Sequence, residues 1–219
     1  MFISNRHFIA RTPRALRWVG PALLLLFVAA CAPGRQSFRA PGPGLTSGTV
    51  IAVLPLANLT QDETADDIFT QKILVELGLL DHFRVQDPGL VTGALRQLRI
   101  LDPDRMSAEQ MEGLATRVGA DFLLAGVITE FAEGADRPRG LPAAALTLRI
   151  INASNGDVIW AGSRSAEGDD GETFFGLGRV RTADRLAANL AHDLVDAMKS
   201  ICVAGPPLEP LRRAAKEID

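Results

Sequence analysis

The sequence predicts an α/β (α+β) domain in which helices pack on a mixed β-sheet of about five strands. Residues 49–56 form an apolar run typical of a buried central strand. Four later segments carry apolar residues at three- and four-residue spacing, which is typical of amphipathic helices. An Asn155-Gly156 pair between two alternating stretches indicates a β-hairpin. Together these elements predict the order β-α-β-α-α-β-β-β-α, typical of a sheet covered by helices.

The helices are predicted from their apolar stripes and their start signals. Asp66-Asp67 opens the first, Asp87-Pro88 caps the second, and Ser107 with Gln110 forms a capping box for the third. The fourth runs from about 182 to 199. Their inward faces are predicted to hold Phe69, Ile73, Leu77 and Leu80; Val91, Ala94, Leu95 and Leu98; Met111, Leu114, Ala115 and Val118; and Ala183, Leu186, Ala187, Leu190, Leu194 and Ala197.

The remaining strands are predicted between these helices and after them. A short strand covers 83–86 and a long one covers 121–131, both with apolar cores. The alternating segments 144–152 and 158–165 form the two arms of the hairpin. A loop from Glu167 to Val180 then leads to the last helix.

Residues 1–30 have the composition of a secretory signal peptide. They contain four arginines and no acidic residue, and end in an apolar run from Trp18 to Ala30. Thirteen helical residues rise only about 20 Å, against about 30 Å for a hydrocarbon core, so the run is short for a permanent transmembrane anchor.

The end of this run predicts lipidation. Val28-Ala29-Ala30-Cys31 resembles the lipobox of bacterial lipoproteins, in which the thiol of the cysteine takes up diacylglycerol. The alternative is a chance cysteine after an ordinary signal-peptidase site. The resemblance implies cleavage before Cys31, several acyl chains on that residue and stable membrane anchoring. Ala32, where an Asp would imply retention, implies the periplasmic side of the outer membrane.

The rest of the chain divides into three parts. Residues 31–48, with four glycines and three prolines, are predicted as the lipidated cysteine and a Pro/Gly-rich linker that reaches at most about 60 Å. Residues 49–202 are predicted as a single domain, and residues 203–219 as a tail.

Charge and cysteine content limit the partners. Residues 31–219 carry 19 basic and 26 acidic residues, a formal charge of −7, which argues against nucleic acid or anionic lipid as a main partner. If Cys31 carries lipid, Cys202 has no disulfide partner within the chain. An odd cysteine in an oxidising compartment indicates either a buried thiol, which we favour, or an intermolecular bridge.

No catalytic or metal-binding pattern is found. His82 and His192 lack metal-ligand neighbours at the usual spacing, and the known nucleophile and phosphate-loop motifs are missing. We therefore expect no enzyme activity, cofactor, metal or small-molecule substrate. The acidic stretch 167–172 lacks the spacing of a calcium loop. Phe174 and Phe175, in the same loop, are either core residues or a partner contact.

Three stretches resemble the CsgG and TolB amino-terminal superfamily of envelope proteins. Residues 51–60 (IAVLPLANLT) are similar to its opening strand and loop, 119–126 (GADFLLAG) to the entry of its third strand, and 148–160 (LRIINASNGDVIW) to its hairpin. Its lipoprotein members include LpoB, PelC and FlgO. The resemblance implies work in envelope assembly, export or cell-wall synthesis by protein contact.

Three hypotheses follow. The first is a lipid-anchored periplasmic adaptor or assembly factor that binds another envelope protein, with a ring-forming homo-oligomer left open. The second is an activator of a cell-wall synthase. The third, an enzyme, depends only on the long loop after Ser165.

Overall fold

The structure, a computed structural model, describes residues 35–41, 44–80, 83–173 and 178–202. The strands are β1 (Arg35–Arg39), β2 (Thr49–Val53), β3 (Ala57–Asn58), β4 (Phe83–Val85), β5 (Phe122–Ala132), β6 (Ala143–Asn152) and β7 (Val158–Glu167). The helices are α1 (Ala65–Gly78), α2 (Pro88–Gln97), α3 (Ala108–Val118) and α4 (Ala183–Met198). Short 3-10 turns follow at Pro103–Arg105, Gly134–Asp136 and Lys199–Ile201. The predicted α/β class is confirmed.

The strands form one mixed sheet in the order β1-β7-β6-β5-β2-β4, with β3 also pairing with β5. Strand β2 runs parallel to β4 and β5, whereas β5, β6, β7 and β1 pair antiparallel in succession. The hairpin predicted from Asn155-Gly156 is confirmed. Its connection spans 153–157, with Gly156 at a φ of 76°. That left-handed conformation favours glycine.

Helices cover the two faces of the sheet unequally. Helices α1 and α4 pack over one face, where Phe69, Leu148, Trp160 and Leu190 are buried in one cluster. Helices α2 and α3 pack on the other, but their cluster uses sheet residues only from β2, β5 and the end of β6 together with the turn after it. The α2 and α3 side of β6, β7 and β1 therefore has no helix over it within the described residues.

The predicted helix caps are present. The Asp87 carboxylate accepts a hydrogen bond from the Leu90 amide at 3.0 Å. The Ser107 hydroxyl accepts from the Gln110 amide at 3.2 Å while the Gln110 side chain accepts from the Ser107 amide at 2.9 Å. Gly119 ends α3 in the left-handed conformation, at φ 68°. Each cap satisfies backbone groups that the helix end leaves unpaired.

The structure differs from three expectations. The described residues form seven strands in place of about five, because β1 and the two-residue β3 carry no recognisable apolar alternation. Residues 35–39, placed in the predicted linker 31–48, form β1, and Leu45 is buried and forms a bridge with Cys202. The described side chains of β1 are exposed, and a strand exposed on both faces has no apolar period. Leu98, predicted to face inward, is exposed beyond the end of α2.

The turn after α2 contains a residue in an unfavourable conformation. The Arg99 amide donates to the Arg96 carbonyl and the Ile100 amide to the Leu95 carbonyl, the two hydrogen bonds of a Schellman motif. Arg99 therefore occupies the left-handed position, with φ 55°. A side chain there costs about 1–2 kcal/mol relative to the right-handed form.

We expect Arg99→Gly to stabilise the domain by about 1 kcal/mol, because glycine removes this cost and the exposed Arg99 side chain loses little contact. The melting temperature should rise by about 2–4 °C in calorimetry. The matched control is Gly119→Ala at the same position of α3, which has no heavy atom closer than 3.9 Å to the added Cβ and should destabilise by a similar amount. A lower melting temperature for Arg99→Gly would contradict the prediction.

Candidate protein-contact surface

Strands β6, β7 and β1 present a sheet face that lacks a helix layer. Leu146, Leu148 and Ile150 point into the α1 and α4 cluster, so the residues between them point the other way. The β7 and β1 residues paired with those share that face. We call this the open face, formed by Ala145, Thr147, Arg149, Ala161, Ser163, Ser165, Gln36 and Phe38.

Small side chains make up most of the open face, and one aromatic ring projects from it. The Thr147 hydroxyl donates to the Ser163 hydroxyl at 3.0 Å, so this central polar pair is satisfied within the sheet. Phe38 lies opposite Ala161 and is 56% exposed. A ring above small, half-buried neighbours is typical of a residue that a partner covers.

Ion pairs border the open face on two sides. Arg149 Nη2 lies 2.6 Å from Asp104 Oδ1 and ties β6 to the 3-10 turn beside α3. At the start of β6, Arg137 Nη2 lies 3.3 Å from Glu130 and 3.1 Å from Glu167. Paired charges thus flank the small and apolar residues on two sides, as in the polar rim of a protein contact patch.

The opposite end of the sheet holds a cleft of about 670 Å³. Its polar lining includes Arg39, Thr46, Asn155 and Asp157, and Phe122 and Ile201 form apolar parts of the wall. The Asn155 amide donates to the Asp157 carboxylate at 2.6 Å, and Arg39 donates to the Ser200 carbonyl at 2.5 Å. Asn155 and Asp157 thus pair with each other, and Arg39 is held by the backbone at the end of α4.

The three predicted site residues, Cys31, Phe174 and Phe175, lie outside the described part of the chain. Lipidation and the aromatic contact therefore stay predictions. Around the loop that holds the phenylalanines, the Gly168 amide donates to the Pro142 carbonyl and the Val180 amide to the Gly168 carbonyl. Within the described ranges, no three metal-ligating side chains converge on a point.

An acidic residue before α1, Asp62, accepts hydrogen bonds within the turn that leads into the helix. Asp62 Oδ1 accepts hydrogen bonds from the Thr64 amide at 2.8 Å and its hydroxyl at 2.7 Å. These bonds lower the pKa of Asp62. Asp62 thus orders the turn into α1, and the carboxylates of Asp66 and Asp67 lie in the first turn, where the helix dipole favours them.

Cys202 is half-buried beside the end of α4. Burial raises the pKa of its thiol, and Sγ lies 3.7 Å from the Met198 carbonyl. A raised thiol pKa lowers the thiolate fraction and slows oxidation. This environment suits the favoured buried thiol, whose redox state stays a prediction.

His192 pairs with a carboxylate across two helices. Its Nδ1 on α4 lies 2.9 Å from Glu76 Oε2 on α1. The hydrogen bond and the charge of Glu76 raise the pKa of His192, with smaller contributions from Asp196 and Asp193. The pair stabilises the fold fully below the unfolded-state pKa of about 6.5, and that contribution is lost as pH rises through the higher folded-state pKa.

We expect Glu76→Gln to lower the pKa of His192 toward its ordinary value in an NMR titration of the imidazole protons. The difference in stability between about pH 5.5 and pH 8.5 should shrink in the variant, because the proton linkage is removed. Asp66→Asn, which likewise neutralises a carboxylate but lies in the first turn of α1, is the control and should leave the titration unchanged. An unaltered His192 pKa in Glu76→Gln would contradict the pairing.

Sequence reasoning missed Phe38 and the open face. The residue lies in the predicted linker, and its exposure depends on pairing with Ala161 on the last strand, far along the chain. The available signal was weak: an isolated phenylalanine between arginines in a Pro/Gly-rich segment.

The described residues thus form an α/β domain with a mixed sheet, one face of which is only partly covered by helices. The sequence model of a family described as "Peptidoglycan-synthase activator LpoB" matches residues 38–165. The chain belongs to this family, which confirms the resemblance to LpoB-like envelope proteins.

Two solved PelC structures share the fold. PelC from Paraburkholderia phytofirmans, in a dodecamer, is 18% identical with a TM-score of 0.52, covering 79% of this chain and 100% of PelC. A variant PelC dodecamer gives 20% identity and 0.51, covering 75% and 98%. The LpoB carboxy-terminal domain from Salmonella enterica is 22% identical with a TM-score of 0.44, covering 56% and 85%. The comparison with curated proteins finds no match. No helix among the described residues is long and apolar enough to span a membrane.

Proposed function

We propose that this protein is a lipoprotein, anchored through Cys31 to the periplasmic side of the outer membrane, that acts as a non-catalytic adaptor. Its partner is another envelope protein, and the family description indicates a peptidoglycan synthase as that partner. Binding occurs on the open face and changes the activity or the assembly of the partner.

The exposed Phe38 ring carries this proposal. Its side chain is 56% exposed on a sheet face of small residues, so burying it on a partner removes apolar surface from water without displacing bulky neighbours. Phe38 is also the first residue of the family match. A buried aromatic anchor of this kind often contributes about 2 kcal/mol or more to binding.

We expect Phe38→Ala to weaken binding to the partner synthase about tenfold or more. The measurement is the affinity of the purified mature chain for the peptidoglycan synthases of the same bacterium, together with the rate at which they make peptidoglycan. Thermal stability should change little, because more than half of the ring already faces solvent.

The matched control is Val75→Ala, which removes a side chain that is 63% exposed on α1, on the other side of the sheet. Its binding should equal that of the unaltered protein. Equal affinities for the Phe38→Ala and Val75→Ala proteins would exclude the open face as the binding surface.

A ring-forming accessory in export is the second candidate function, favoured by the fold shared with dodecameric PelC. Here the open face or the free edge of β1 contacts a second copy of the chain. Native mass spectrometry of the mature protein separates the two: a closed oligomer supports the ring, and a monomer that binds a synthase supports the adaptor.

A further inference from the structure

Strand β1 shortens the tether between the lipid and the domain. Its backbone pairs with β7 from Arg35↔Arg164 to Arg39↔Trp160, so residues from Arg35 onward belong to the sheet. Only four residue steps separate Cys31 from Arg35. Whatever its conformation, such a segment spans at most about 14 Å, against about 60 Å if the linker extended to residue 48.

The chain enters β1 from a defined end of the sheet. Beside Arg35, β7 continues three residues past Arg164 to Glu167, a distance of about 10 Å. Glu167 pairs with Ala143, and Ala143 with Ala132, so the β5–β6 connection lies at this same end. The segment from Cys31 to Arg35 spans at most about 14 Å. About 10 Å of this is needed to reach from Arg35 to the end of β7.

We propose that the domain rests on the membrane surface through this end of the sheet, with the β5–β6 connection, residues 133–142, against the lipid headgroups. The inference rests on the proposed lipidation of Cys31 and specifies its geometry. The strands then stand upright, and the open face points sideways along the membrane. The surface of the partner that binds the open face must therefore reach to within the height of this one domain above the membrane that holds the lipid anchor.

Side-chain hydrogen bonds and ion pairs fix the position of the β5–β6 connection. Its Glu133 carboxylate accepts a hydrogen bond from the Ala183 amide at 3.0 Å, which ties it to the start of α4. Arg137 bridges Glu130 on β5 and Glu167 on β7, the two strands on either side of β6. Arg139, whose side chain is 77% exposed, lies with Nη1 3.5 Å from Glu167 Oε2, so a third ion pair holds this end of the sheet together.

The opposite end, with the cleft and the β6–β7 connection, points away from the membrane. Val158 lies six residues before Arg164 along β7, about 20 Å nearer that end. Asn155, which is exposed in the β6–β7 connection, lies at this same end of the sheet. In this orientation the distances of the two ends of the sheet from the membrane differ by more than the distance over which a quencher on a lipid acts by contact.

Fluorescence quenching measures this difference. In a Cys202→Ser background, the lipidated mature protein carries one fluorophore at Arg139→Cys or Asn155→Cys and is bound to phosphatidylethanolamine/phosphatidylglycerol vesicles containing a headgroup-nitroxide lipid. We expect quenching several-fold stronger at position 139 than at position 155. Inserting about 20 Gly/Ser residues between Gly34 and Arg35 should reduce quenching at 139 to the level at 155, because the tether no longer holds the domain down.

Equal quenching at the two positions in the unlengthened protein, or stronger quenching at 155, would overturn the orientation while leaving the lipid anchor intact. Persistent quenching at 139 after the insertion would show that headgroup contact, and not tether length, holds the domain, and would overturn the tether argument. Failure of the protein to float with the vesicles would overturn the anchor itself, and this inference with it.

Discussion

Leu190→Asp should unfold most of the domain. Leu190 is 3% exposed, in the middle of α4 and within the cluster that α1 and α4 form over the sheet. The substitution removes a buried apolar side chain and places a carboxylate where the cluster is apolar. Large-to-small changes in a core cost about 2–5 kcal/mol, and an unpaired buried charge adds to that. Such a loss is comparable to the total stability of about 5–15 kcal/mol of a small domain.

The measurement is urea unfolding followed by circular dichroism. Asn189→Asp is the control, because it adds the same charge one residue earlier, at an exposed position of the same helix, with almost no change in side-chain size. It should shift the free energy of unfolding by less than about 1 kcal/mol. Similar unfolding midpoints for the two variants would mean that α4 does not pack on the sheet.

The sequence predicted α4 because its information is local. Apolar residues at three- and four-residue spacing decide which face of a helix is buried, whatever it packs against. The same holds for the Ser107 capping box and for Gly119, whose hydrogen bonds and backbone conformation involve neighbours within one turn. The order of nine elements followed from such local patterns, and the structure has them in that order.

Strand β1 escaped prediction because the information that forms it is not local. Its described side chains lie in solvent, so neither apolar alternation nor burial distinguishes it from a linker. Only the exposed edge of β7, formed far along the chain, makes a strand of this segment favourable. The candidate site depends on that same pairing, and so Phe38 could not be recognised from the sequence.

Leu45 illustrates the same limit. A single leucine among prolines and glycines shows no period, yet it is 1% exposed and its amide donates to the Ile201 carbonyl at 2.8 Å. The segment before β2 is thereby fastened to the chain that follows α4. The domain is larger than the predicted 49–202, and its proposed contact surface depends on the added part.

Cys31→Ser should release the protein from the membrane. Lipoprotein processing, which the Val28-Ala29-Ala30-Cys31 sequence resembles, needs a thiolate to take up diacylglycerol, and a serine hydroxyl is far less nucleophilic. Each buried CH₂ of an acyl chain contributes about 0.8 kcal/mol to membrane binding, so loss of several chains removes on the order of tens of kcal/mol of anchoring.

The experiment compares Cys31→Ser with Cys202→Ser by membrane fractionation and by the mass of the mature protein. The first variant should accumulate as an uncleaved precursor or a soluble protein without acyl mass, whereas the second should keep both lipid and fractionation, because Cys202 lies in the domain and is half-buried. A soluble, cleaved product from the unaltered protein would favour an ordinary signal peptide. Unchanged membrane association and cleavage in Cys31→Ser would mean that Cys31 is not the anchor. In either case no lipid on Cys31 would hold the domain against the membrane, and the argument from the short tether would fail.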